Sequence, residues 1–121
     1  MANRNQGGIR RIFLAAGFSL GGLRQAWRHE AAFRQEMLGA VVLIPLGIWF
    51  GRSPGDRVLL VGSVVLVVIV ELLNSAVEAV VDRVGMDLHE LSGRAKDMGS
   101  AAVLLALLLC GFTWLTILVP L

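Results

Sequence analysis

Three carboxylates, Glu71, Glu78 and Asp82, follow "RVLLVGSVVLVVI", a run at 57–69 in which nothing after Arg57 is charged. At about 100° per helical residue the three acids fall within roughly 40° of one another, with Asn74 and Ser75 beside them. Each charge near the centre of a bilayer costs about 2.5–3.5 kcal/mol on insertion scales. Something must offset that cost. Hydrogen bonds between helices or protomers are one answer, but Ser or Asn alone would make them more cheaply. A buried carboxylate site for a cation, a proton or both is the stronger reading.

What the acids do depends on what faces them. The segment "DLHELSGRAKD" at 87–97 carries Lys96, the chain's single lysine, and Asp97. If it returns at the same membrane end, Lys96 stands beside the acidic stripe. From spacing alone, Lys96 fits equally well as an interfacial residue whose stem lies in lipid while its ammonium reaches water. Basic groups next to carboxylates also suit a magnesium-nucleotide, the former taking phosphates and the latter holding the metal through oxygen. No Walker, kinase or Rossmann glycine loop is present, so a nucleotide site here is of another kind. His29 and His89 lack metal-ligand spacing, which argues against zinc.

The elements that would carry these groups follow from composition and charge. Of 121 residues 56% are apolar and only 17% charged, and the mean hydropathy is +0.75. A soluble domain of this size cannot hide so much apolar surface. The length allows one domain, 1–121, and no cleavable signal peptide opens it. Cys110, the sole cysteine, reads as a packing residue in an apolar run.

Met98 to Leu121 contains no charge and reaches about 36 Å as a helix, enough for the roughly 30 Å hydrocarbon core. Val58 to Val81 is similar apart from Glu71, Asn74 and Glu78. Met37 to Phe50 is too short alone and must extend back through "EAAFRQE", with Pro45 expected to kink it. The predicted membrane helices are therefore about 31–50, 58–83 and 98–120, joined by polar connectors at 51–57 and 85–97.

Ahead of them, Ile9, Phe13, Ala16, Leu20, Leu23 and Trp27 recur at spacings of four and three, while Arg10, Arg11, Arg24 and Arg28 lie elsewhere on the wheel. That pattern predicts an amphipathic surface helix over about 8–28, whether as a basic anchor on anionic headgroups or as part of a site. The fold class expected is an all-α membrane protein. Arginines 4, 10, 11, 24, 28 and 34 precede the uncharged part of the first span, and Arg83, Arg94 and Lys96 lie in the 83–97 segment, against Arg52 and Arg57 in the first connector. The bias places the N-terminus and second connector in the cytoplasm. The net charge of +2 thus reflects topology and not a nucleic-acid partner.

"EAAFRQE", "ELLNSAVEAVVDRVG" and "HELSGRAKDMGSAAV", in that order, resemble the bacterial integral-membrane diacylglycerol kinase family over nearly the whole chain. The resemblance implies phosphorylation of the diacylglycerol hydroxyl from MgATP in the bacterial inner membrane, by a homotrimeric bundle with sites shared between protomers. It implies Glu71 as proton acceptor with Asn74 in support, and Glu30 and Glu78 as the carboxylates holding Mg2+ with ATP. Arg11, Phe18, Asp87, Leu88, His89, Lys96 and Asp97 match nucleotide-contacting positions. Arg11, Ala15, Ala16, Ser19, Arg24, Trp27, Ala32, Phe33, Arg34, Gln35, Glu36, Trp49, Glu71 and Ser100 match the lipid-contacting ones. Phe18 stands where well-known members have tyrosine, and Asp87 is one methylene shorter than the glutamate the pattern implies.

Undecaprenol kinases share much of this pattern, although "HELSGRAKDMGS" favours the diacylglycerol type. A small proton-coupled transporter would also use an intramembrane glutamate. It would not need the polar "SGRAKD" segment, and such proteins usually carry four spans.

Overall fold

The computed structural model describes residues 7–84 and 90–120. Among them there are four helices and no strand: α1 (Gly8–His29), α2 (Ala31–Phe50), α3 (Pro54–Val84) and α4 (Glu90–Leu118). The last three are long and apolar enough to cross a membrane. α3 is the central helix, packed by α2 on one side and α4 on another, while α1 touches α2 and α3 only lightly.

The inward face of α3 is written at helical spacing. Leu60, Ser63, Val64, Val67, Glu71 and Ser75 are its buried residues, and Leu60 is fully enclosed. On α4 the less exposed positions recur three or four apart from Ser92 through Ala95, Gly99, Val103, Ala106 and Cys110, and widen to Thr113, Trp114, Ile117 and Leu118 at its end, so one narrow stripe meets α3. The remaining apolar side chains, such as Leu105 at 66% exposure, point outward. In water such a surface would be untenable; in lipid it is the expected exterior.

The link between α2 and α3 is shorter than its polarity suggests. Ser53 Oγ accepts a hydrogen bond from Asp56 N at 3.1 Å, and Asp56 Oδ2 accepts one from Arg52 N at 3.3 Å. With Pro54 at the first helical position, this cap starts α3 at once, leaving only 51–53 outside helix. At this end the helices close tightly. A β-carbon on Gly47 would stand 3.1 Å from Leu60 Cβ and 3.4 Å from Trp114 Cζ2, tighter than most Cβ contacts, so glycine suits the close convergence of α2, α3 and α4 there. Trp114 Nε1 donates to Leu60 O at 3.1 Å, fastening α4 to α3.

Much of the other polar stretch is helix as well. Residues 90–97 form the first turns of α4. The polarity of Glu90, Arg94, Lys96 and Asp97 marks their exposure and not a loop. α1 and α2 are separated by Glu30 alone, in extended conformation at φ −120° and ψ 107°. Arg34 Nη1 caps the end of α1 by donating to Trp27 O at 2.8 Å and Arg28 O at 3.3 Å. Its charge also suits a helix C-terminus. The corner at Glu30 is thus held from α2, and α2 itself runs unbroken through Pro45.

Candidate active site

The acidic stripe descends along α3 from the interior to the surface. Glu71 is 3% exposed, Glu78 is half-buried and Asp82 is exposed. Near the exposed end Lys96 Nζ meets Asp82 Oδ1 at 2.9 Å, which brings the first turns of α4 beside the stripe. Among the described residues this is the one ion pair, so Glu71 is buried without a cation.

The neighbours of Glu71 are other carboxylates. Glu36 of α2, Glu78 of α3 and Glu30 at the α1–α2 corner all lie close enough to act on it electrostatically, as does the Asn74 amide one helical turn away. Asn74 Oδ1 and Ser75 Oγ are buried and unpartnered among the described residues. Buried polar atoms without a partner are uncommon, because their desolvation is not offset. Gly99 of α4 lies directly against Asn74; a β-carbon there would overlap the amide oxygen.

A cleft of about 680 Å³ opens between α1 and α3, lined by Ser19, Gly22, Ala26 and Glu30 on one wall and Leu72, Ser75 and Ala79 on the other. Its walls are largely apolar, with Glu30 and Ser75 as polar points. Such a space suits a lipid presenting a small polar head to the corner.

Several sequence-predicted positions converge here: Glu30, Glu36, Glu71, Asn74 and Glu78, with Ser19 on the cleft wall. Ser19 Oγ already donates to Ala15 O at 2.9 Å. Lys96 sits by Asp82, and Asp97 and Ser100 are exposed on the same helix. Arg11, Ala15, Ala16, Phe18, Arg24 and Trp27 are exposed along α1, and Ala32 and Gln35 on α2. Phe33, matched by the resemblance to a lipid-contacting position, is a core side chain at 1% exposure. Trp49 is 82% exposed at the far end of α2, about 27 Å along the helix from Ala31. It is not brought to the carboxylates in this chain. Asp87, Leu88 and His89 lie outside the described residues.

Among the described residues no three acidic, histidine or cysteine side chains form a ready-made metal centre. A magnesium ion does not need one. It takes one or two carboxylates and completes its oxygen shell with phosphates and water, and Glu30 and Glu78 fit that partial set.

Ser75 and Gly99 escaped the sequence analysis as site residues. The unpaired hydroxyl of Ser75 and the close approach at Gly99 depend on helix register, for which spacing within one helix gives no signal. The profile of the family described as prokaryotic diacylglycerol kinase matches residues 17–118. A diacylglycerol kinase of Escherichia coli is 57% identical over 114 residues, covering 94% of this chain and 93% of that protein. One from Pseudomonas aeruginosa is 52% identical over 115 residues, covering 95% and 94%. One from Helicobacter pylori is 38% identical over 107 residues, covering 88% and 84%. With matches of that extent, the chain belongs to the prokaryotic diacylglycerol kinase family.

Proposed function

We propose that the protein transfers the γ-phosphoryl group of ATP to the free hydroxyl of diacylglycerol, giving phosphatidate and ADP. The reaction takes place at the cytoplasmic face of the bacterial inner membrane, where the N-terminus and the start of α4 lie. The observation that carries this reading is Glu71: a carboxylate enclosed among carboxylates, with no cation paired to it among the described residues, one helical turn from the cleft residue Ser75. A structural hydrogen bond would not need that charge. A proton acceptor would.

The substrate hydroxyl reaches Glu71 from the cleft under α1. Its oxygen forms the new bond to the γ-phosphorus as the bond from that phosphorus to the β–γ bridging oxygen breaks, and its proton passes to the Glu71 carboxylate. Asn74, donating to Glu71, keeps the acceptor oxygen aimed. Lys96 leaves Asp82 to take a phosphate oxygen, and Arg11, Phe18, Asp87, Leu88, His89 and Asp97 complete the nucleotide contacts. Glu30 and Glu78 would hold a magnesium ion together with the phosphates, and the ion would supply neutralisation of the charge on the transferred group. Glu71 is deeper than Glu78 by about 10.5 Å along α3, so the lipid and the water-soluble nucleotide are each met at their own level.

The test is turnover of purified protein with MgATP and either dioleoylglycerol or undecaprenol. Strong preference for dioleoylglycerol supports the assignment; preference for the polyprenol moves the enzyme to the related undecaprenol kinases. The homotrimer with shared sites has its own test. Glu71→Gln and Lys96→Ala protomers, each inactive alone, should regain activity when co-assembled if proton acceptor and nucleotide clamp come from different chains. Inactive mixtures, with co-assembly demonstrated, would place both residues on one chain.

A further inference from the structure

We propose that Gly99 is a positioning residue for the proton acceptor: the β-carbon it lacks leaves the space in which Asn74 holds its amide oxygen toward α4 and its NH2 toward Glu71. The inference rests on Glu71 as the base and deepens that reading.

Three observations meet at this point. A β-carbon built on Gly99 would overlap Asn74 Oδ1 and stand 3.2 Å from the amide carbon. Asn74 Oδ1 is buried and accepts no hydrogen bond among the described residues. The Asn74 side chain stands one helical turn from Glu71 on the same helix, close enough for its amide to act on the carboxylate. The oxygen end of the amide is thus parked against the Gly99 backbone, which leaves the NH2 end free to serve the Glu71 carboxylate. The reverse orientation would set the amide oxygen against the carboxylate oxygens, acceptor facing acceptor. The observed one leaves Oδ1 with only weak contact to the Gly99 backbone. Without Gly99 that place is filled.

The atom in the way is the tip of a side chain, and Asn74 is half-buried. Alanine at 99 would swing the amide aside instead of prising α3 from α4. Its effect belongs in the chemical step and not in folding.

A double-mutant cycle reads this directly. Gly99→Ala is made in the wild-type chain and in an Asn74→Ala chain, and kcat and both KM values are measured with MgATP and dioleoylglycerol in one lipid system. In the wild-type background kcat should fall about tenfold, the scale of one charge-assisted hydrogen bond. Both KM values should hold within about twofold, as expected when only transition-state interactions are lost. In the Asn74→Ala background the same change should alter kcat by less than about twofold.

An equal loss in both backgrounds overturns the proposal, since Gly99 then acts by helix packing alone. So does a Gly99→Ala chain that fails to fold while Gly99→Ala with Asn74→Ala folds, because the contact is then structural. A Glu71→Gln enzyme with near-normal turnover defeats the base assignment itself, and is told apart from an additive cycle by that separate variant.

Discussion

The first turns and the middle of α3 are packed on opposite terms. Around Leu60 every advantage is taken: Gly47 lets three helices meet, and Trp114 Nε1 and Ser63 Oγ both donate to Leu60 O. Around Glu71 the same helix carries a buried acid without a cation, and the Asn74 oxygen and Ser75 hydroxyl have no partner among the described residues. The first stretch satisfies its polar atoms and excludes volume. The second holds polar atoms without partners among the described residues, beside a cleft. In a membrane, where an unmet polar group finds no water, that contrast separates scaffold from site.

The strongest way to break the comparison is at Glu78. Glu78→Gln keeps nearly the same volume but removes a ligand charge, so turnover at saturating magnesium should vanish while the fold persists. Normal activity under those conditions would remove Glu78 from the metal. Glu71→Gln comes next. If Glu71 accepts the proton, kcat should fall by about 10²–10⁴, the range for losing a positioned base. MgATP affinity, measured by equilibrium binding, should scarcely move, because Glu78 and Lys96 are untouched. Thermal stability should hold or rise, since a buried carboxylate has become neutral. If the residue only bridges helices, the amide will keep both stability and turnover.

How much of this the sequence discloses depends on the kind of information each residue carries. The spans were legible because charge-free runs and helical spacing are properties of one helix at a time. The clustering of Glu71, Glu78 and Asp82 on one face is of the same kind, and Lys96 indeed reaches that face. The connectors were less legible. Residues 54–57 and 90–97 look like loop because they are polar, yet both are helix; the Ser53–Pro54–Asp56 cap was the available sign for the first. What stayed hidden concerns pairs of helices: the burial of Phe33, the Arg34 cap on α1, and the contact of Gly99 with Asn74. These follow from crossing angle and register. Trp49 is the reverse case, a motif position that the fold of one chain holds at the far end of α2.

The smallest expected effects sharpen the other half of the comparison. Leu60→Ala, at the closed end, leaves a cavity among α2, α3 and α4 and should cost about 2–5 kcal/mol of stability. Activity per folded molecule should be nearly unchanged, because Leu60 lies about 16 Å along α3 from Glu71. Leu105→Ala removes the same atoms from a side chain that is 66% exposed. There the side chain meets lipid in the folded state and in the unfolded state alike, so little hydrophobic free energy separates them. Its cost should stay within about 0.5 kcal/mol. Both are read by reversible unfolding in mixed detergent micelles, with turnover measured on the same samples. A large loss for Leu105→Ala would mean that this face of α4 is covered by another chain. Lipid would then not be the exterior at α4, and the homotrimer would have an interface on that helix.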